Sequence, residues 1–122
     1  AGADGICLIN TLLGMRIDLK TKKPLIANRT GGLSGPAVFP VAVRMVWEVA
    51  NAVKVPILGM GGVSKGADAA ELMLAGATAV AVGTASFADA YAPVRVRDEL
   101  AAYAEKQGLA RISELTGAVK PW

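Results

Sequence analysis

The sequence predicts an α/β fold of about three parallel strand–loop–helix units, a piece of a (β/α)8 barrel in preference to a short open sheet. Three observations carry this reading. Short apolar runs of strand length alternate with longer stretches of helical periodicity. Ala, Val and Leu supply most of the apolar content while aromatics make up only 5%, which suits parallel strands covered by helices. Glycine-containing loops follow the C-terminal ends of two successive strands, where barrels place their sites.

The elements follow in order. Ala1 to Gly5 reads as a helix end and turn, with no Met or cap before it, so the natural beginning is expected to lie upstream. A strand runs from Gly5 to Asn10. Residues 11–28 read as a long loop containing a small hairpin, in which Met15–Leu19 alternates, Lys20–Lys23 turns and Pro24–Ala27 returns. Residues 30–36 are a loop dense in glycine. A helix then spans about Pro40 to Val53, with Pro in its first turn and Val41, Ala42, Met45, Val46, Val49, Ala52 and Val53 on one stripe. The second strand is Val55–Met60, followed by the loop Gly61–Ser64 and a helix over Gly66–Leu74 that Gly76 closes. Ala79–Val82 is the third strand, ended by Gly83-Thr84. A short helix over Ala85–Ala88, a longer one over Pro93–Gln107 and a last helical turn at Ile112–Thr116 complete the chain. Right-handed crossovers between parallel strands follow from this order.

Composition excludes several classes of function. The chain of 122 residues has no histidine and one cysteine, so a Cys/His metal site, a Ser-His-Asp triad and an intrachain disulfide are all ruled out. Cys7, inside the run Ile6-Cys7-Leu8-Ile9, is expected to be a small buried hydrophobe rather than a nucleophile. A net charge of +3 and a pI near 9.3 permit attraction to anions, but no Lys/Arg block with interleaved aromatics points to nucleic acid. The run Lys20-Thr-Lys22-Lys23 reads as a solvated loop. Mean hydropathy is +0.44, yet no run reaches the roughly 18 apolar residues needed to span a bilayer. The excess apolar content belongs in a core or an interface, no membrane is expected, and a reducing cytoplasmic setting is the default.

The chemistry concentrates at the strand ends. Gly61-Gly62 and Gly83-Thr84 follow neighbouring strands, so a parallel sheet brings them together. Their backbone N–H groups, the Thr84 hydroxyl and the helical start after it form a candidate phosphate cradle. A lone Gly-Gly would indicate only a tight turn; two such loops on adjacent strand ends favour a phosphate-containing ligand. Asn10-Thr11, at the end of the first strand, offers donors and acceptors suited to imide or carboxylate groups, or simply forms a turn. Gly31-Gly32-Leu33-Ser34-Gly35 is a third loop at the same rim, able to lie flat against a ring system or merely flexible.

These stretches resemble the dihydroorotate dehydrogenase family. The resemblance rests on Asn28–Ala37, Ile57–Val63, Ala75–Ala85 and the segment from Leu8 through the hairpin near Lys20, and it weakens after about Asp98. It fits best the NAD-linked class whose catalytic subunit carries FMN. It implies the C-terminal portion of a (β/α)8 barrel, with residues 1–122 as a partial FMN-binding domain. In that family dihydroorotate is oxidised to orotate by hydride transfer to FMN in pyrimidine synthesis. By motif, Gly61, Gly62, Gly83 and Thr84 would hold the FMN phosphate, Gly35 and the Ile9 backbone would line the flavin, and Asn10 and Thr11 would bind orotate. The resemblance further implies an electron-transfer subunit bearing FAD and an iron–sulfur cluster. The family's base cysteine, a flavin-side lysine and further substrate asparagines are expected upstream; Cys7 does not match the catalytic motif. The isolated chain is therefore expected to be inactive, and its high apolar content without a complete barrel leads to the expectation that it self-associates as a homo-oligomer. A flavin barrel acting on another dihydropyrimidine, or a non-catalytic phosphate-ligand or assembly module, are the alternatives.

Overall fold

The computed structural model describes residues 2–121. In chain order the elements are β1 (Ile6–Leu8), β2 (Leu12–Gly14), β3 (Ile17–Asp18), β4 (Lys23–Pro24), β5 (Gly31–Leu33), α1 (Phe39–Ala52), β6 (Ile57–Met60), α2 (Gly66–Ala75), β7 (Ala79–Ala81), α3 (Ala85–Ala88) and α4 (Ala92–Lys106), with 3-10 turns at Pro36–Val38 and Ile112–Leu115. The expected helix end at Ala1 lies outside the described residues, and residues 2–5 form no helix.

β1, β6 and β7 form one parallel sheet in that order, with Leu8 opposite Gly59 and Gly59 opposite Val80. One face of this sheet carries the helices. Leu8 and Ile57 are buried there with Ala42 and Val46 of α1 and Leu72 of α2, the last three fully enclosed. Gly59 allows this approach, since a Cβ there would sit 2.9 Å from Ala77 Cβ and 3.6 Å from both Leu72 and Val46. The helical stripe expected for α1 is thus present, with Ala42 and Val46 at its centre and Ala52 exposed at its margin. The 3-10 turn near the C-terminus seats Leu115 against Ala70 and Met73, and Gly117 N–H donates to Met73 O, so the tail closes the end of α2.

Three expectations are corrected. Cys7 is exposed, not buried. Strand alternation sends Ile6 and Leu8 toward the helices and Cys7 to the opposite face, in register with the exposed Leu58 and Ala79. No described element covers that face. Residues 11–28 are not all loop, because β2 pairs antiparallel with β5 through Leu12–Leu33, Leu13–Gly32 and Gly14–Gly31. For the same reason the glycine-rich segment at 31–33 is a strand. Its two glycines leave room for different side chains: a Cβ on Gly32 would strike Thr11, and one on Gly31 would lie 2.8 Å from Ile26 Cδ1. The small hairpin is as expected, with β3 and β4 paired Ile17–Pro24 and Asp18–Lys23. Its turn is closed by the Asp18 carboxylate, which accepts from Lys20 N–H at 2.7 Å.

Candidate functional site

A cavity of about 200 Å³ opens at the C-terminal ends of β1, β6 and β7. Its lining includes Ile9, Asn10 and Thr11 from the end of β1, Gly61 and Gly62 from the end of β6, and Gly83 and Thr84 from the end of β7. Parallel pairing in register stops at Met60 and Ala81, so the two glycine loops leave the sheet side by side. Gly35 is buried beside the cavity rather than in its lining; its would-be Cβ lies 3.8 Å from Thr84 Cγ2. All eight residues singled out in the sequence therefore lie at one rim, seven of them on the cavity.

The glycines play different parts. Gly61 has φ +122° and Gly62 φ +79°, conformations that disfavour any side chain. The chain's own packing also requires them. A Cβ on Gly61 would lie 2.9 Å from Ile9 Cγ1 and 3.0 Å from Ala42 Cβ, and one on Gly62 would lie 2.7 Å from the Gly35 carbonyl oxygen and 2.9 Å from Phe39 Cβ. At Gly83 a Cβ would meet nothing within 4 Å. There the absent side chain leaves open space on the cavity.

Polar groups converge on that space. The N–H groups of Gly62, Gly83 and Thr84 donate to no backbone acceptor among the described residues. Ser86 N–H and Phe87 N–H turn back onto the carbonyls of Gly83 and Thr84, which fixes the path of the loop after β7. None of the lining residues is charged, so an anion here would be held by neutral donors. Ile9 gives its N–H to Met60 O at 2.9 Å, extending the sheet by one bond at the edge of the cavity. Asn10 Oδ1 accepts from Thr11 N–H at 2.8 Å, which orients the Asn10 amide and leaves its NH2 as a donor.

The loop after β6 is braced from behind. Asp68 is 8% exposed, and its Oδ2 accepts from Ser64 N–H, Ser64 Oγ and Lys65 N–H at 2.9, 2.9 and 3.1 Å. That carboxylate satisfies the first donors of α2 and complements its positive end. Glu99 of α4 accepts from Gly66 N–H at 2.6 Å. This bond, followed by the Arg95 guanidinium, holds the Glu99 carboxyl below its ordinary range.

Leu33 and Ser34 also line the cavity, as members of the glycine loop placed at this rim from the sequence, whereas Val38, Met60, Ala81 and Val82 line it without having been singled out. Within that loop Ser34 carried a signal, being a hydroxyl set directly before Gly35. Met60 and Ala81 follow from counting strand alternation outward to the last paired residue. Val38, in a turn before α1, had no local signal.

The comparisons with known proteins accord with this geometry. The family described as "Dihydroorotate dehydrogenase" matches residues 1–103. The chain is 58% identical over 120 residues to the dihydroorotate dehydrogenase B (NAD(+)) catalytic subunit of Geobacter metallireducens, covering 98% of this chain and 39% of that protein. It is 57% identical over 119 residues to the protein of the same name from Geotalea uraniireducens, with the same coverage. The chain thus spans about two fifths of the length of these relatives. Among solved structures, DHODH from Eimeria tenella in complex with ferulenol superposes with a TM-score of 0.78 at 27% identity, over 94% of this chain and 31% of that one. With its parallel sheet and covering helices, the chain has the fold of part of a (β/α)8 barrel. It belongs to the dihydroorotate dehydrogenase family.

Proposed function

We propose that residues 1–122 form the FMN-phosphate and part of the orotate site of a dihydroorotate dehydrogenase catalytic subunit, which oxidises dihydroorotate to orotate in pyrimidine synthesis. The observation that supports it is the single cavity on which Gly61, Gly62, Gly83, Thr84, Asn10 and Thr11 converge. FMN fits these residues chemically. Open space at Gly83 and the unpaired N–H groups of Gly62, Gly83 and Thr84 suit a phosphate. FMN, when bound, supplies the hydride acceptor.

The chain's own part is binding and orientation. Gly62, Gly83 and Thr84 would hold the phosphate through backbone N–H groups, with the Thr84 hydroxyl as a further donor. Gly35 and the Ile9 carbonyl would lie along the flavin. The Asn10 NH2 and the Thr11 hydroxyl would fix the imide or carboxylate edge of the substrate, so that its reacting carbon faces the flavin. Cys7, the one cysteine of the chain, does not line the cavity and is not placed to take the proton lost from the substrate. A cavity of about 200 Å³ is smaller than the roughly 300–1,000 Å³ of whole small-molecule sites, as expected if the rest of the barrel completes it. The relatives' designation as catalytic subunits supports an electron-transfer partner, which we assign FAD and an iron–sulfur cluster. A cytoplasmic setting is part of this reading. Separately, among the described residues no helix is long and apolar enough to cross a membrane.

Gly83→Val in the full-length protein tests the reading. It should leave the melting temperature near wild type, because no atom lies within 4 Å of the added Cβ, and abolish FMN retention. Undiminished FMN binding by this variant would remove the cradle assignment.

A further inference from the structure

We propose that Arg95 is a positioning residue for the phosphate cradle, setting the spacing between the loop after β6 and the loop after β7. The inference rests on the reading that these two loops hold a phosphate. Arg95 lies on α4, remote from the cavity lining, and one guanidinium reaches three segments. Its Nη1 donates to the Ser64 carbonyl at 3.1 Å, two residues beyond Gly62. Its Nε donates to Asp89 Oδ2 at 3.1 Å, at the end of α3, the helical turn that begins directly after Thr84. Nη1 also donates to Glu99 Oε1 at 3.1 Å, and Glu99 in turn accepts from Gly66 N–H.

The sheet itself does not fix the loops relative to each other, because register between β6 and β7 ends at Met60 and Ala81. Beyond that point Gly35 touches both loops from one side, packing on Gly62 and near Thr84. Arg95 is the polar link between them on the helical side. The segments it joins are themselves stiff. Asp68 pins Ser64 and Lys65, while Asp89 accepts from Tyr91 N–H through Oδ1 and gives its own N–H to Ala85 O. A displacement at Ser64 or Asp89 is thus carried into the glycines.

Stability alone does not account for this arrangement. The Arg95 side chain is 44% exposed, and exposed ion pairs contribute little to folding. What the site uses is the planar fork, which meets a carbonyl and two carboxylates in fixed directions. A lysine ammonium is a single point donor group and does not reproduce that geometry.

The test measures dissociation constants of FMN and of riboflavin, which lacks the phosphate, by flavin fluorescence in the full-length protein. Arg95→Ala should weaken FMN binding about tenfold, the scale on which supporting partners tune groups they hold in place. Riboflavin affinity should not change, and Arg95→Lys should recover little. Asp89→Asn removes the charge that holds the arm to α3, while its one remaining oxygen serves Tyr91 N–H, and should weaken FMN in the same direction; it decides the question if Arg95→Ala does not fold. Equal losses for FMN and riboflavin, unchanged FMN affinity, or full rescue by lysine would overturn the proposal alone. A wild-type protein that binds riboflavin as tightly as FMN would overturn the phosphate reading and this proposal with it.

Discussion

At the scale of single residues, Gly61, Gly62 and Gly83 separate two reasons for lacking a side chain. The first two stand at positive φ with Ile9, Ala42, the Gly35 carbonyl and Phe39 crowding the missing Cβ. Gly62→Ala should therefore destabilise the protein by more than about 1 kcal/mol, because neither the backbone oxygen nor the α1 terminus can withdraw. Gly83→Ala should be near neutral, since open space surrounds it. Urea unfolding of the two variants checks the pair; equal losses would contradict the distinction. In the sequence the adjacent glycines 61 and 62 looked the more telling, yet the demand on them is met inside the chain. The residue that leaves room for a ligand is the one whose doublet partner is Thr84. Cys7 is similarly instructive: an apolar run around it suggested burial, but alternation and an uncovered face decided otherwise.

At the scale of elements, α2 and α4 meet closely behind the site. A Cβ on Gly66 would collide with the backbone and Cβ of Glu99, so α4 lies directly on the start of α2. Glu99 exploits that proximity by accepting from Gly66 N–H, with Arg95 beside it, and both favour its ionised form; partial loss of water and then the charge of Asp68 oppose them. A carboxyl whose folded value is depressed contributes stability above its unfolded value, and loses it as pH falls through the folded one. Thermal stability should thus decline as pH drops below the ordinary glutamate range, through protonation of Glu99. Glu99→Gln should lower stability at neutral pH and flatten that part of the acid slope. An unchanged slope, measured by melting temperature against pH, would assign the acid loss to other carboxylates. Asp18, held down by the N–H groups of Lys20 and Thr21 in the β3–β4 turn, is the nearest alternative in kind.

At the scale of the whole molecule, the sheet is covered on one face only. Cys7, Leu58 and Ala79 lie in register and exposed on the other, and Leu13, Leu19 and Phe87 are more than three quarters exposed. An apolar content of 53% spread over so open a surface favours association. Residues 1–122 produced alone should self-associate at micromolar concentration, burying the bare sheet face against a second copy. Light scattering that shows a clean monomer would refute this.

The order, type and approximate bounds of β1, β6, β7 and the four helices were legible in the sequence, because hydrophobic periodicity and helix stops such as Gly76 are local signals. The meeting of the Gly61 and Gly83 loops was legible too, since parallel strands with helical crossovers leave their C-terminal ends together. Only the tertiary structure decided the β2–β5 pairing, the exposure of Cys7 and the link from Arg95 to Ser64, 31 residues away. Each of these depends on which distant group arrives opposite a residue. Spacing along a chain carries the period of a helix or strand, and it does not carry the identity of a partner brought in by packing.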